Sequence, residues 1–145
     1  ALDNVSVSLR EGTTLAVVGE SGSGKSTLAR CLLQLQPLNS GEVLFAGQDL
    51  SKISGEALRV MRKNLQMVFQ DPFASLNPRM KVGEIVGEGL LIHGLGSGAE
   101  QQKKVIAMLK RVGLTEADMQ KYPHEFSGGQ RQRIGIARAL VLQPK

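Results

Sequence analysis

Residues 14–36 constrain this chain more than any other stretch. A continuous apolar run, TLAVVG, leads into GESGSGKS, and TLARCLLQLQ follows. An unbroken apolar run suits a strand buried on both faces of a parallel sheet. Leu28, Leu32 and Leu35 then recur at helical spacing. Between the two, Gly19 to Ser26 matches G-x-x-x-x-G-K-[ST]. Each residue type has a reason to stand there. Gly22 and Gly24 let the backbone turn tightly, so that consecutive N–H groups point at phosphate oxygens. Lys25 carries a mobile charge for β- and γ-phosphates, and Ser26 offers a hydroxyl to magnesium. Thr27 begins a helix whose N-terminal dipole favours an anion. A flexible glycine-serine turn would account for the letters, but not for the strand before them and the helix after. The pattern therefore predicts a strand, a phosphate loop and a helix, and with them nucleotide binding.

The flanking pattern is less regular. Val5, Val7 and Leu9 alternate ahead of a Glu11-Gly12 turn, so VSVSLREGTTLAVVGE reads as two strands. This pattern starts in mid-strand without an initiator methionine, and the far end, ALVLQPK, stops as abruptly. Both ends suggest context beyond the chain. Pro37 is expected to end the helix after the glycine loop. SGEVLFAGQDL reads as a hairpin around Ala46-Gly47, GEALRVMRK as a short helix and LQMVFQ as a third buried strand. Residues 71–100 read as loop-rich, with Pro72 and Pro78 as punctuation. EQQKKVIAMLKRVGL is then an amphipathic helix with Val105, Ile106, Leu109 and Val112 on one face. Ser97 and Glu100 fit a capping box at its start, and Gly113 fits its end. TEADMQKYP adds a helical turn before Pro123. Strands are thus expected mainly in the first half and helices in the second, with no internal repeat or low-complexity tract.

Composition narrows the partners without choosing one. A chain of 145 residues with 41% apolar and 21% charged residues is one soluble globular domain's worth. An aromatic content of 3% argues against a nucleic-acid surface built on stacked rings. The net charge of +5 suits an anion, be it nucleotide phosphate, nucleic acid or a lipid surface. Cys31 is the only cysteine, so no internal disulfide can form, a reducing compartment is the default, and the residue reads as a small buried group on a helix. No apolar run approaches the roughly 18–20 residues of a membrane span. The N-terminus has no basic stretch followed by an apolar signal region. His93 and His124 lack any catalytic constellation, and Arg30 and Arg138 read as helix-surface charges.

FSGGQRQR, residues 126–133, is an odd way to open the helix RQRIGIARALVL. Ser127 and Gln130 form the S-x-x-Q spacing of a capping box. Capping leaves Gly128 and Gly129 unexplained, since glycine costs about 1 kcal/mol relative to alanine in a helix. It also leaves Arg131 and Arg133 at the positive end of a helix dipole. Close approach of a ligand to bare backbone N–H groups would explain the glycines, and an anion there would make the arginines tolerable. A second phosphate-binding helix start is therefore expected. One phosphate loop already satisfies one triphosphate, so two copies could pair head to tail, each closing the other's site.

The phosphate loop, Gln70 after LQMVF, and FSGGQRQRIGIARAL together resemble the ATP-binding subunits of ABC transporters over essentially the whole chain. VFQDPFASLNPRMKVGEI and YPHEFSGGQRQRIGIARAL look most like the bacterial oligopeptide, dipeptide and nickel importer branch, in which phenylalanine at 126 is usual. The resemblance implies an α/β fold, that of a P-loop NTPase of the ABC nucleotide-binding type, incomplete, with a small β subdomain and a helical subdomain. Residues 1–70 would be the phosphate-loop core and β subdomain, 71–126 the Gln70 loop and helical subdomain, and 127–145 the signature segment and its helix. Gly19, Glu20, Ser21, Gly22, Ser23, Gly24, Lys25, Ser26 and Thr27 would hold the phosphates of ATP. Ser26 and Gln70 would coordinate Mg2+, and Lys25 and Gln70 would act on the γ-phosphate. Ser127, Gly128, Gly129 and Gln130 would contact ATP held by a second ABC subunit in a head-to-tail dimer. Phe69, Phe73 and the SLNPRM loop admit local packing, but the resemblance favours a surface that couples to membrane-spanning permease subunits. His124 would at most position the signature segment.

The same resemblance places the protein on the cytoplasmic face of the bacterial inner membrane, taking up peptides or a related small solute, with no nucleic-acid partner. The alternative is a non-transport ABC-type ATPase of DNA repair or translation. Relatives continue with a strand ending in Asp-Glu and then a switch histidine, segments not present in residues 1–145, and carry their adenine-stacking aromatic upstream of Ala1. Nucleotide binding with reduced base affinity and without turnover is therefore expected of these residues. Exposed strand edges would make them marginally stable or self-associating.

Overall fold

The computed structural model describes residues 2–71 and 73–145. Pro72, an expected loop breaker, lies outside them. The contacts divide the chain into one unit running to Leu58 and another from Arg59 to Lys145, with the division inside the helix Gly55–Arg62.

In the first unit, helix α1 (Lys25–Leu32) follows directly on the glycine loop, with Gly24 at its N-cap. The helix stops before Pro37. Gln34 adopts a left-handed φ of 52°, Gln34 N donates to Cys31 O and Leu35 N to Arg30 O, the paired bonds of a Schellman ending. Cys31 is buried, as its helical position implied. Strands β1 (Leu44–Phe45) and β2 (Gln48–Asp49) form the expected hairpin. They pair antiparallel through Phe45 and Gln48, and Ala46 and Gly47 take φ of 47° and 81°. Positive φ at both central residues defines the turn whose twist matches a hairpin.

The expected strands on either side of the Glu11-Gly12 turn do not form. The turn itself is present, with Thr13 N donating to Arg10 O at 3.2 Å. Residues 5–9 and 14–19, however, join no ladder among the described residues, nor do residues 65–70. A strand exists only through hydrogen bonds to a neighbour, and an apolar run is buried only when layers cover both faces. Neither is supplied here, and Val18 remains 89% exposed.

The second unit is helical. After α2 (Gly55–Arg62) come α3 (Val82–Ile92), α4 (Gly98–Arg111) and α5 (Gly128–Leu140), with 3-10 turns at Ala117–Gln120 and Pro123–Glu125. Helix α3 replaces part of the expected loop. Its buried residues, Val82, Ile85, Val86 and Leu90, have helical spacing, but Gly83, Gly87 and Gly89 on the same segment hide it. Those glycines serve packing. A Cβ at Gly83 would stand 3.2 Å from the carbonyl oxygen of Met119, and one at Gly89 would stand 2.9 Å from Leu142 Cδ1. Helix α3 thereby packs on α4, on α5 and on the turn Ala117–Gln120. The core gathers Ile85, Val86, Leu90, Val105, Leu109, Phe126, Ile134 and Ala137.

Helix ends follow the side chains. The Ser97 and Glu100 capping box is present, with Ser97 N donating to Glu100 Oε2 at 2.7 Å. Gly113 N donates to Lys110 O and Leu114 N to Leu109 O, closing α4 in a Schellman motif. Asp118, only 8% exposed, accepts from Thr115 N and Oγ1 at 2.8 Å each and from Lys121 Nζ at 2.7 Å. The Lys121 bond, then the Thr115 amide, hold the Asp118 carboxyl below its usual range.

Gly83→Ala is expected to destabilise this unit by about 1–3 kcal/mol in denaturant titration, because the Met119 backbone cannot yield to an added methyl. Asp118 lowers its own pKa on folding, so its contribution is present above the ordinary value of 3.8 and is lost as pH falls through the folded value. Asp118→Asn should cost about 1–2 kcal/mol at pH 7. The difference from the parent should shrink as pH falls below 3.8 and through the lower folded value; a pH-independent difference would mean that the carboxylate charge contributes nothing.

Candidate functional site

The glycine loop is built from backbone turns that only its glycines permit. Gly22 and Gly24 take φ of 83° and 95°, and Ser23 N donates to Glu20 O at 3.2 Å. Gly24 caps α1 without a side-chain hydrogen bond, so no cap competes with a ligand for the N–H groups of the first turn. Lys25 folds back along the loop, its Nζ donating to Gly19 O at 2.8 Å, Glu20 O at 2.6 Å and Ser23 Oγ at 3.3 Å. The ammonium is thus tethered at the mouth of a concavity of about 140 Å³ lined by Gly22, Gly24, Lys25, Ser26 and Thr27. The concavity is smaller than the roughly 300–1,000 Å³ of sites that enclose a drug-sized ligand, and its size suits phosphate groups. Glu20 and Ser21 are exposed in the turn.

Ser26, exposed at the same rim, supplies the hard oxygen that magnesium prefers. Magnesium takes most of its ligands from water and phosphate and needs only one or two from protein, so Ser26 fits that role. Gln70 belongs to the second unit and is exposed. No cluster of three or more His, Cys, Asp or Glu residues that could hold a metal occurs among the described residues.

The start of α5 is the second candidate. Ser127 Oγ accepts from Gln130 N at 3.3 Å, and Gln130 Oε1 accepts from Ser127 N at 3.0 Å, the capping box that the spacing predicts. Gly129 faces open space, with no atom within 4 Å of where a Cβ would stand.

The two arginines need no anion to explain them. Arg131 Nε donates to Pro123 O at 2.8 Å, and its guanidinium lies 4.1 Å from the centroid of the Phe73 ring. Arg133 Nη1 reaches Gly113, 3.2 Å from where a Cβ would stand, at the C-terminal end of α4, where a cation is favoured. The arginine charges are thus accounted for within the chain, and the paired glycines are not.

Arg138 is a further correction. It is half-buried, not a surface charge, and its Nη1 donates to Ser75 O at 2.6 Å. Burial pushes its pKa down, and Glu88 partly offsets this. Arg30 is exposed in the last turn of α1, as expected. His124 is exposed and stacks on Tyr122 with ring centroids 5.8 Å apart. Residues 73 and 75, just beyond Gln70, are held by α5, a link that the pattern around Gln70 does not show. One signal was available. Arg131 and Arg138 are seven apart, flank Ile134 and Gly135, and so continue the buried stripe of the helix.

With this geometry in view, comparisons with known proteins define the class. A family model described as ABC transporter matches residues 2–145, and the chain belongs to that family. It is 55% identical over 146 residues to the oligopeptide transport ATP-binding protein AppF of Bacillus subtilis, covering 100% of this chain and 44% of that protein. It is 53% identical over 145 residues to the glutathione import ATP-binding protein GsiA of Salmonella typhimurium, covering 100% of this chain and 23% of that one. The chain thus spans less than half the length of these relatives. Among solved structures, the dimeric ATP-binding cassette MJ0796, in a post-hydrolysis state bound to ADP and Pi, superposes with a TM-score of 0.76 at 34% identity. That match covers 86% of this chain and 54% of the other. The fold is therefore that of an ABC-type nucleotide-binding domain.

Since nothing in the chain occupies the space beside Gly129, Gly129→Ala should leave stability unchanged or raise it by up to about 1 kcal/mol. A loss of stability in thermal or denaturant melts would mean that this glycine is needed for the fold itself.

Proposed function

We propose that residues 1–145 form the ATP-binding portion of an ABC importer subunit, which couples ATP binding and hydrolysis to uptake of peptides or a related small solute. The observation that carries this reading is the occurrence, in one chain, of a glycine-turned loop with a tethered lysine and a second helix start built on paired glycines, with open space beside Gly129. A single triphosphate uses the first site, which supports a second that meets a nucleotide held by another subunit. The names of the relatives, oligopeptide and glutathione transport proteins, support a peptide-like solute. No observation favours the DNA-repair or translation alternative.

In this reading Lys25 exchanges its bonds to Gly19 and Glu20 for phosphate oxygens. The amides of Gly22 to Thr27 surround the phosphates, with Gly19 to Ser21 completing the turn. Ser26 and Gln70 serve the magnesium that arrives with ATP, and that ion neutralises phosphate charge when bound. Ser127, Gly128, Gly129 and Gln130 contact the γ-phosphate of ATP held by the partner. The protein would act on the cytoplasmic face of the inner membrane beside its permease subunits. No helix among the described residues is long and apolar enough to cross a membrane. Residues 1–145 alone are proposed to bind nucleotide without turnover, because the resemblance assigns water activation to a segment they do not contain.

Titration calorimetry with Mg-ATP on this chain tests the reading. Binding is expected, and Lys25→Ala should weaken it by about 10- to 100-fold, the worth of charged hydrogen bonds. Binding that survives Lys25→Ala unchanged, or no binding by the parent chain, would refute the assignment of the loop. Turnover at ordinary enzymatic rates by these residues alone would refute the inactive reading.

A further inference from the structure

Three contacts fasten the segment beyond Gln70 to α5, and the nucleotide reading uses none of them. The guanidinium of Arg131 lies on one face of the Phe73 ring, 4.1 Å from its centroid. The edge of the same ring, at Cε2, comes within 3.9 Å of the position a Cβ would take at Gly128. Two turns further along α5, Arg138 Nη1 donates to Ser75 O at 2.6 Å. Asp71 Oδ1 accepts from Phe73 N at 2.8 Å and from Ala74 N at 3.2 Å, which fixes the direction in which the ring leaves the backbone. Phe73 is nevertheless 62% exposed. A large aromatic with that much open surface adds little to a core, so its place on the first turn of α5 calls for another explanation.

We propose that Phe73 is a positioning residue: held by Arg131, it fixes the first turn of α5 to the segment after Gln70, so that this segment and the Ser127–Gly129 backbone shift together. Arg138 on Ser75 is the second point of attachment, without which the segment could pivot about the ring. What the Ser127–Gly129 backbone meets rests on the function proposed above, whereas the mechanical link does not.

Two measurements on the chain separate the link from that reading. The first is amide hydrogen exchange at Gln130 and Arg131, whose N–H groups donate to Ser127 Oγ and Ser127 O. Phe73→Leu should speed exchange there by about two- to fivefold, the worth of a cation–π contact at an exposed site. Phe73→Tyr, which keeps the ring face, should not, and amides in the buried part of α4 should be unaffected in both. Unchanged rates in Phe73→Leu would overturn the proposal. So would equal acceleration in Phe73→Tyr, or acceleration spread through α4. The second measurement is Mg-ATP-driven self-association by sedimentation, beside binding of a fluorescent ATP analogue. Phe73→Leu should weaken association by about two- to fivefold, with Phe73→Tyr restoring it and binding of the analogue unchanged. Association that is equal in Phe73→Leu and the parent would overturn the proposal. A parent chain that binds no nucleotide would sink the ATP reading instead, and exchange at Gln130 and Arg131 would still decide the link.

Discussion

The arrangement of the second unit depends on how closely α3 can approach its neighbours. Gly83 lies against the backbone of Met119 and Gly89 against the Leu142 side chain at distances where an added methyl group would force its neighbour to move. That closeness lets one short helix touch α4, α5 and the Ala117–Gln120 turn together. Val82, Ile85, Val86 and Leu90 are buried as a result. Each fully buried aliphatic side chain is worth roughly 1.5–3 kcal/mol, more than the propensity lost at the glycines beside it. Packing therefore outweighs propensity, and α5 is presented on a firm base.

On that base, α5 carries a division of labour. Its inward stripe of Ile134, Ala137 and Val141 joins the core, and the arginines at 131 and 138 extend the stripe into polar company. A guanidinium can do this because it is weakly hydrated and stacks on an aromatic face while its N–H groups reach carbonyls. The first turn is left with glycines and a self-contained capping box. Its free backbone is thus a property of the helix as a whole.

How much of this was legible varied with how local the physics is. The glycine loop, the Ala46-Gly47 hairpin, and the Ser97–Glu100 and Ser127–Gln130 caps follow from residues within a few positions of one another, and the structure has them. The apolar runs at 14–19 and 65–70 were read as strands, yet strand formation depends on a distant partner that no local pattern supplies. Helix α3 lies in a stretch that Pro72 and Pro78 mark as loop-rich, and its three glycines face Met119, Val105 and Leu142, which are far along the chain. An anion is invoked to make Arg131 and Arg133 tolerable for the same reason, since Phe73 and Gly113 are invisible from a window around them. Arg138 reads locally as a surface charge, although its place on the stripe points inward.

The pairing of Gly89 with Leu142 carries a consequence for how such a sequence can change over time. A side chain on residue 89 would meet the Leu142 side chain, with Cδ1 2.9 Å from its Cβ, so one of the two must shift. A larger residue at 89 is accommodated more easily once 142 is smaller, and a smaller residue at 142 leaves a void that a larger one at 89 would fill. The order of substitutions matters, and intermediates in the wrong order would be lost. Positions 89 and 142 should therefore drift as a pair among descendants of this chain, although more than fifty residues separate them.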